Sequence, residues 1–323
     1  MKKIMLMLAA LLLAATLSSC RSADMPIIKE ASTAAPGTDA AVPSLQAKPS
    51  GYHGEEVMLY YRYYDEPCLA AESRAIQTAP DRPYELAVVA ALLEGPVSRG
   101  SELTSLFPEG TRVLSTAMQG RTLFVTLSRE IMNGYRDEPA AWQSDAYWGT
   151  EVPLRRQLTM QSLVATVTEN CEADRVQVLV EQDETSMADS LRLKQSYFMT
   201  GEEGLTEPLT RDEALLLSPV QTMETVMELW QAQDWQRMYR YMAGSGRSDL
   251  ADFITRMGNL PRVIRWEVSG GSVTADGTAC TLTVVLTTSA RVEPVQFAFR
   301  LVRENNLWKL PQEQLIIRQE AMN

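Results

Sequence analysis

An almost wholly apolar segment, Tyr84–Glu94, predicts the helix around which the first half of the chain is organised. Its apolar residues recur at helical spacing, and only Glu85 interrupts them. Because such a helix is apolar on nearly every side, we expect its own sheet and a loop to cover it, or a neighbouring subunit to cover its second face. Gly95 and Pro96 predict where the helix ends, since glycine caps a helix and proline cannot continue it.

The segments around this helix predict a small sheet. Val57–Tyr64 alternates between two faces and is typical of a strand. Gln119–Thr122 contains Gly120 and predicts a hairpin turn. The other elements predicted here are a short strand near Ser73–Gln77, a strand end at Ser128–Ile131, a polar-aromatic loop over 133–152, an amphipathic helix over Pro153–Asn170 and a strand over Val176–Val180.

The pattern changes near Ser218, where a second body is predicted to begin. Apolar residues first repeat at helical spacing from Val220 to Met242, and a shorter helix is predicted over Ser248–Met257. Alternating strands are then predicted at Val263–Val268, Ala279–Thr287 and Val295–Arg303, and the segments Leu307–Leu310 and Gln314–Ile317 finish the body. Helices followed by an antiparallel meander indicate an α+β fold.

The first twenty residues predict export. Two lysines precede an apolar run, Ile4–Leu17, which is too short to span a bilayer as a helix but suits a secretory signal. The run ends at Leu17-Ser18-Ser19-Cys20, which resembles a bacterial lipobox. That resemblance implies a diacylglycerol on Cys20 and an extracytoplasmic protein that lipid holds at the cell membrane. The alternative is an ordinary signal peptide with a chance cysteine.

Composition adds limits on the partners. The chain carries a net charge of −11, and removal of residues 1–19 would make it more negative by two. An acidic surface excludes electrostatic binding to nucleic acid or to anionic lipid. The stretch that follows the signal is rich in Ala, Pro, Ser and Thr and predicts a flexible tether. The predicted organisation is a signal peptide over 1–19, a tether over 20–54, and folded domains over 55–217 and 219–323.

Cysteine and histidine usage gives no metal or cofactor site. Beyond Cys20 there remain Cys68, Cys171 and Cys280, an odd number, so at least one stays free or pairs between chains. A bridge between Cys68 and Cys171 is left open. The single histidine, His53, is expected in a solvated loop, and no Cys/His spacing suits zinc. We therefore predict no metal and no cofactor.

Several motifs of the first folded domain resemble the GerMN domain, which is named for sporulation and spore germination lipoproteins. They are Leu92-Leu93-Glu94-Gly95-Pro96, Pro108-Glu109-Gly110-Thr111 and Val125-Thr126-Leu127-Ser128, followed by Gly204–Arg211. The resemblance covers about residues 55–217. It implies a fold like the ring-building modules of secretion systems, with a small sheet and two helices on one face. Some family members carry two such domains in tandem, whereas this chain has one.

The second folded domain resembles NTF2-like domains in the segment Glu228–Trp235 and in the late Trp308-Lys309-Leu310. The resemblance covers about residues 219–320 and implies an α+β cone with a pocket on a bent sheet. Four aromatic residues are candidate ligand contacts in such a pocket, although packing in the core is the commoner role of such residues. They are Trp230, Trp235, Tyr239 and Trp308.

We find no motif of a catalytic site: no nucleophile elbow, no phosphate-binding loop and no paired carboxylates. The resemblance implies a non-enzymatic scaffold or assembly factor in spore formation, germination or an envelope complex, with protein partners or further copies of itself. Two alternatives remain open. One is a module that binds cell-wall glycan or a small ligand in the NTF2-like pocket, and the other is a cell-wall hydrolase.

Overall fold

The computed structural model describes residues 53–97, 102–135, 146–182 and 190–317. The predicted signal peptide, Cys20 and nearly all of the tether lie outside these residues. The elements of the first part are β1 (His53–Tyr63), β2 (Leu69–Thr78), α1 (Tyr84–Leu93), β3 (Leu103–Thr104), β4 (Val113–Gln119), β5 (Thr122–Leu127), α2 (Ala146–Asn170), β6 (Arg175–Glu181), β7 (Ser190–Arg192) and β8 (Leu209–Thr210). Those of the second part are α3 (Pro219–Ala232), α4 (Trp235–Tyr239), α5 (Leu250–Gly258), β9 (Val263–Val273), β10 (Ala279–Thr288), β11 (Val295–Glu304), β12 (Leu307–Lys309) and α6 (Glu313–Ile317).

The described strands form three sheets. The first has the order β2-β1-β3, and β1 pairs antiparallel with β2 from His53↔Thr78 to Arg62↔Leu69 without a shift in register. The second has the order β4-β5-β6-β7, in which β5 and β6 run parallel, and β8 also pairs with β6. The third is antiparallel, with the order β12-β11-β10-β9. The predicted α+β class is confirmed.

Two principal hydrophobic clusters hold these layers together. In the first part, the buried face of β1 packs with α1, α2, β5 and β6. Two sheets therefore pack against the same two helices, whereas the resemblance implies a single sheet. In the second part, α3, α4 and α5 pack on the inner face of the third sheet. The same cluster includes Tyr63 and Ala70 of the first sheet, and the described residues form one compact unit. The predicted boundary between two domains and the NTF2-like resemblance stay predictions.

Several predicted elements need correction. Residues Ser128–Ile131 do not extend a strand, because Arg129–Met132 forms a 3₁₀ helix. α2 begins at Ala146, inside the predicted loop, and Pro153 lies within it. Proline removes one helical hydrogen bond and its ring crowds the carbonyl four residues earlier, so α2 continues through Pro153 at a cost in stability. The segment Gln314–Ile317, for which no type of element was predicted, is helical and lies in α6.

One edge of β1 is covered by polar side chains of α2. The carboxamide of Asn170 accepts from the N–H of Met58 at 2.9 Å and donates to its carbonyl at 2.8 Å. Thr166 Oγ1 accepts from the N–H of Tyr60 at 3.1 Å, and Ser162 Oγ donates to the carbonyl of Tyr60 at 2.5 Å. These three residues follow one another at every fourth position, so they lie on one face of α2 and replace a missing strand.

Candidate functional site: a charged junction beside the motif loops

The first motif ends α1. Gly95 has φ +82°, the left-handed conformation that closes a helix. The Arg74 guanidinium of β2 donates to the carbonyl of Ala91 at 2.9 Å and to that of Gly95 at 2.6 Å. A cation beside the last carbonyls of a helix satisfies them and complements the negative end of its dipole. The motif Leu92–Pro96 thus fixes where the helix stops on the sheet.

The second motif is a turn that faces the first across a cleft. Thr111 donates to the carbonyl of Pro108 through its N–H at 3.2 Å and its hydroxyl at 2.7 Å, while Gly110 has φ +86°. The cleft measures about 650 Å³ and lies between the two motif loops. Arg62 and Arg155 are the cations that line it.

A buried ion pair lies beside this cleft. Arg62 of β1 donates to Glu151 of α2 at 2.5 and 3.3 Å, and both side chains are almost fully buried. Arg155 donates to the same carboxylate at 2.7 Å. Burial opposes ionisation of Glu151, but the hydrogen bonds from the two guanidinium groups outweigh it and lower the pKa of this carboxyl group. Glu151 is therefore held as an anion.

The turn between β1 and β2 inserts an acidic residue into the second part of the chain. Glu66 is 1% exposed, and its carboxylate accepts from Arg237 at 2.5 and 3.1 Å and from Arg240 at 3.1 Å. Arg240 also pairs with Asp65 and lies 4.8 Å from the ring centre of Tyr64. Breaking a buried ion pair is costly, so this turn fixes the first sheet against α4.

A buried lysine forms the other half of the junction. Lys309 Nζ donates to Tyr63 Oη at 2.6 Å, to Glu102 Oε1 at 2.5 Å and to the carbonyl of Arg240 at 2.7 Å. These three acceptors use all three of its protons. Burial lowers the pKa of Lys309, and the Glu102 carboxylate opposes that change. Lys309 and Glu102 also line a second cleft of about 660 Å³.

The predicted ligand contacts all pack in the hydrophobic cluster of the second part. Trp230 is fully buried in α3, Trp308 is buried in β12, and Trp235 is partly buried at the start of α4. Tyr239 donates to the carbonyl of Ser248 at 2.8 Å, and the Arg247 guanidinium lies 4.4 Å from its ring centre. None of the four aromatic residues lines either cleft. Their role in binding a ligand stays a prediction.

The cysteines that the structure describes are all free. Cys68 packs against the cluster of the second part and Cys171 against that of the first, so the possible bridge between them is not formed. Burial raises the pKa of each of these two thiols to about 12. Among the described residues no group of three or more His, Cys, Asp and Glu side chains could hold a metal ion. His53 does not lie in a loop as expected, because its backbone begins β1 and pairs with Thr78; its side chain lies outside the description.

Sequence reasoning missed the charged junction. Its signals are visible in retrospect: Arg62 is a cation within an aromatic strand, and Lys309 stands between Trp308 and Leu310, both buried. A charge inside an apolar pattern indicates a buried pair, but the pattern does not say which residue completes it.

The described helices include none that is both long and apolar enough to cross a membrane.

Comparison with known proteins places the first part of the chain. Residues 58–186 match the sequence model of the Germane family, described as sporulation and spore germination. A comparison with curated proteins found no match. Among solved structures, the tandem GerMN domains of the sporulation protein GerM from Bacillus subtilis share 16% identity over 51% of this chain and 46% of that chain, with a TM-score of 0.31. This chain thus spans less than half of that protein's length.

A second solved structure, of a candidate lipoprotein from Clostridium perfringens, shares 19% identity over 53% of this chain and 95% of that chain, with a TM-score of 0.27. The family match covers all the strands and helices from β2 to β6 and the first three motifs. The resemblance drawn from those motifs is therefore confirmed. Residues 58–186 thus match the Germane family, whose description is sporulation and spore germination.

Proposed function

We propose that this protein is an extracytoplasmic lipoprotein that acts as a non-enzymatic assembly factor in spore formation or germination. The observation that carries the proposal is the match of residues 58–186 to a family described by those two processes. The lipobox-like segment Leu17–Cys20 supports the anchor, because acyl chains on Cys20 would hold an acidic chain at an anionic membrane.

The state of the charged groups supports a role in binding and not in catalysis. A general acid or base must be able to exchange its proton with a substrate. At the motif-loop cleft Glu151 is held by Arg62 and Arg155, and at the second cleft Glu102 is held by Lys309. These pairs stabilise the fold and leave the surface of the body as the part that recognises a partner.

The junction supports a scaffold. Glu66 and Lys309 connect the part that matches the Germane family to the last third of the chain through side chains that are nearly inaccessible to water. Such pairs make a hinge motion costly because each separated charge would lose its partner. A rigid body on a lipid anchor can present two surfaces to partners at a constant separation.

A sporulation assay with matched variants tests the proposal. In a spore-forming host that lacks its own copy of the gene, the wild type is expected to restore spore yield or germination. Cys20→Ala is expected to lose acyl labelling, leave the membrane fraction and fail to restore. Ser19→Ala keeps a small residue before the cysteine and is the control that retains all three properties.

Two results would contradict the proposal. If Cys20→Ala stays membrane-bound and restores sporulation fully, the anchor is wrong. If purified wild-type protein turns over peptidoglycan and Glu151→Gln or Glu102→Gln abolishes that turnover while the variant stays folded, the protein is an enzyme and the proposed role fails.

A further inference from the structure

Along most of its length, β2 leaves the outward side of its backbone without a hydrogen-bond partner among the described residues. Tyr63 N–H of β1 donates to the carbonyl of Cys68 at 3.0 Å, so the backbone groups of even-numbered residues in β2 point toward β1. Those of odd-numbered residues point away, and the carbonyl of Leu69 accepts from Leu217 N–H at 2.8 Å. Backbone direction alternates along a strand. The outward groups therefore belong to Ala71, Ser73, Ala75 and Gln77, and none of these has a backbone partner beyond β1 among the described residues.

This edge lacks most of the features that keep sheet edges apart. Single chains protect an open edge with charged side chains, proline, a bulge or a covering helix. Ala71–Gln77 contains neither lysine nor proline, and its pairing with β1 has no bulge. Its two charged residues, Glu72 and Arg74, pair with each other at 2.6 Å. At the other side of the same sheet, α2 covers β1 with three polar side chains. A strand of this length with its outward groups unpaired is a template for another strand.

A groove runs beside the open edge. It measures about 560 Å³ and lies between β2 and the outer face of α1. Leu86, Ala87 and Ala90 line the helix side, and each is partly exposed. The two alanines leave space for another helix or for side chains of an added strand. This is the second face of α1, for which the sequence left a neighbouring subunit as one explanation.

We propose that β2 pairs antiparallel with β2 of a second copy of this chain, which joins the two three-stranded sheets into one. Antiparallel strands related by a two-fold axis are self-complementary, since each contributes the same donors and acceptors. Pairing centred near Ala75 would form about six backbone hydrogen bonds. The proposal is independent of the role in sporulation.

The charges on the groove favour a second copy as its occupant. Arg82 lies just before α1 and Glu94 just after it, and both are exposed. They are separated by roughly 18 Å along the helix axis. A two-fold axis that makes the strands antiparallel also makes the two α1 helices antiparallel, so each Arg82 approaches Glu94 of the other copy. Within the chain the Glu94 carboxylate already lies 3.7 Å from Arg74, whereas Arg82 forms no ion pair among the described residues. An unrelated apolar peptide would therefore leave Arg82 without an anion, which a second copy supplies.

The mass of the full-length protein, purified from membranes in detergent, tests the proposal. Light scattering corrected for detergent is expected to give twice the mass of one chain at micromolar concentration. Ala75→Pro is expected to halve it. The N–H of Ala75 faces away from β1, so proline there removes no bond within the chain. Ala75→Lys, which places a charge at the edge, is expected to have the same effect.

Controls separate edge pairing from misfolding. Thr281→Lys adds a lysine to β10, which has a neighbour on both sides, and this variant is expected to stay dimeric. Arg82→Glu is expected to weaken association about tenfold, and adding Glu94→Arg is expected to restore it. A wild type with the mass of one chain overturns the proposal, even if β2 then binds a peptide from another protein. A folded Ala75→Pro variant that remains dimeric also overturns it.

Discussion

The two edges of the first sheet differ in how their backbone groups are satisfied. On β1, Ser162, Thr166 and Asn170 of α2 bond the outward N–H and C=O groups of Met58 and Tyr60. On β2, the outward groups from Ala71 to Gln77 have no such cover in the described part of the chain. Because helix side chains close only one edge, the sheet has one side for folding and one side for association. A stability measurement on one chain will therefore report chiefly on the β1 side.

A similar amide pairing appears in the third sheet. The carboxamide of Gln314 accepts from the N–H of Arg300 at 2.8 Å and donates to its carbonyl at 2.5 Å. Asn170 pairs with Met58 in the same two-bond arrangement. The pair at Met58 is partly buried, whereas the pair at Arg300 is exposed, so water can replace the latter. The two hydrogen bonds of a carboxamide to one backbone residue thus contribute more to stability on β1 than on β11.

The largest expected loss of stability comes where the covered edge ends, at Arg62. Glu151→Gln keeps the shape of the side chain but leaves Arg62 buried without its anion, which is expected to cost about 3 kcal/mol of unfolding free energy. Urea denaturation measures this loss. The control is Glu207→Gln, which breaks the ion pair with Arg192. The Glu207 side chain is 86% exposed, so this change is expected to cost under about 1 kcal/mol.

The same ion pair has a pH signature. The pKa of Glu151 is lowered in the folded chain, so the stability it contributes is fully present above the unfolded value of about 4.3 and is lost as the pH falls through the folded pKa. Unfolding free energy of the wild type is expected to fall more steeply with acid than that of Glu151→Gln. Parallel pH profiles for the two proteins would contradict the assignment of this ion pair.

A smaller loss is expected at the centre of the covered edge. Thr166→Val keeps the shape of the side chain but leaves the buried N–H of Tyr60 without an acceptor, at a cost of about 1–3 kcal/mol. Thr168→Val on the same helix is the matched control. Its hydroxyl bonds the carbonyl of Val164 within α2 and no strand, so a smaller loss is expected. Equal losses for the two variants would show that α2 does not stabilise β1 through this bond.

Local elements of the fold could be predicted from the sequence, but the partners across it could not. The alternation of Val57–Tyr64 and the end of α1 before Gly95 depend on neighbouring residues. The structure has a strand there, although it runs from His53 to Tyr63, and α1 ends at Leu93. The start of α2 was missed because Pro153 is a usual first residue of a helix. The candidate site was missed because its pairs are distant: Arg62 and Glu151 are 89 positions apart, and Glu102 and Lys309 are 207 apart.

The smallest expected effect is on the open edge. Gln77→Lys adds a charge to an exposed side chain that makes no hydrogen bond among the described residues, so the unfolding free energy is expected to change by less than about 0.5 kcal/mol. The measurement is urea denaturation at a concentration low enough that single chains predominate. A loss above about 1 kcal/mol would mean that a part of the same chain covers β2. The difference between the two edges would then disappear, and with it the reason for β2 to pair with a second copy.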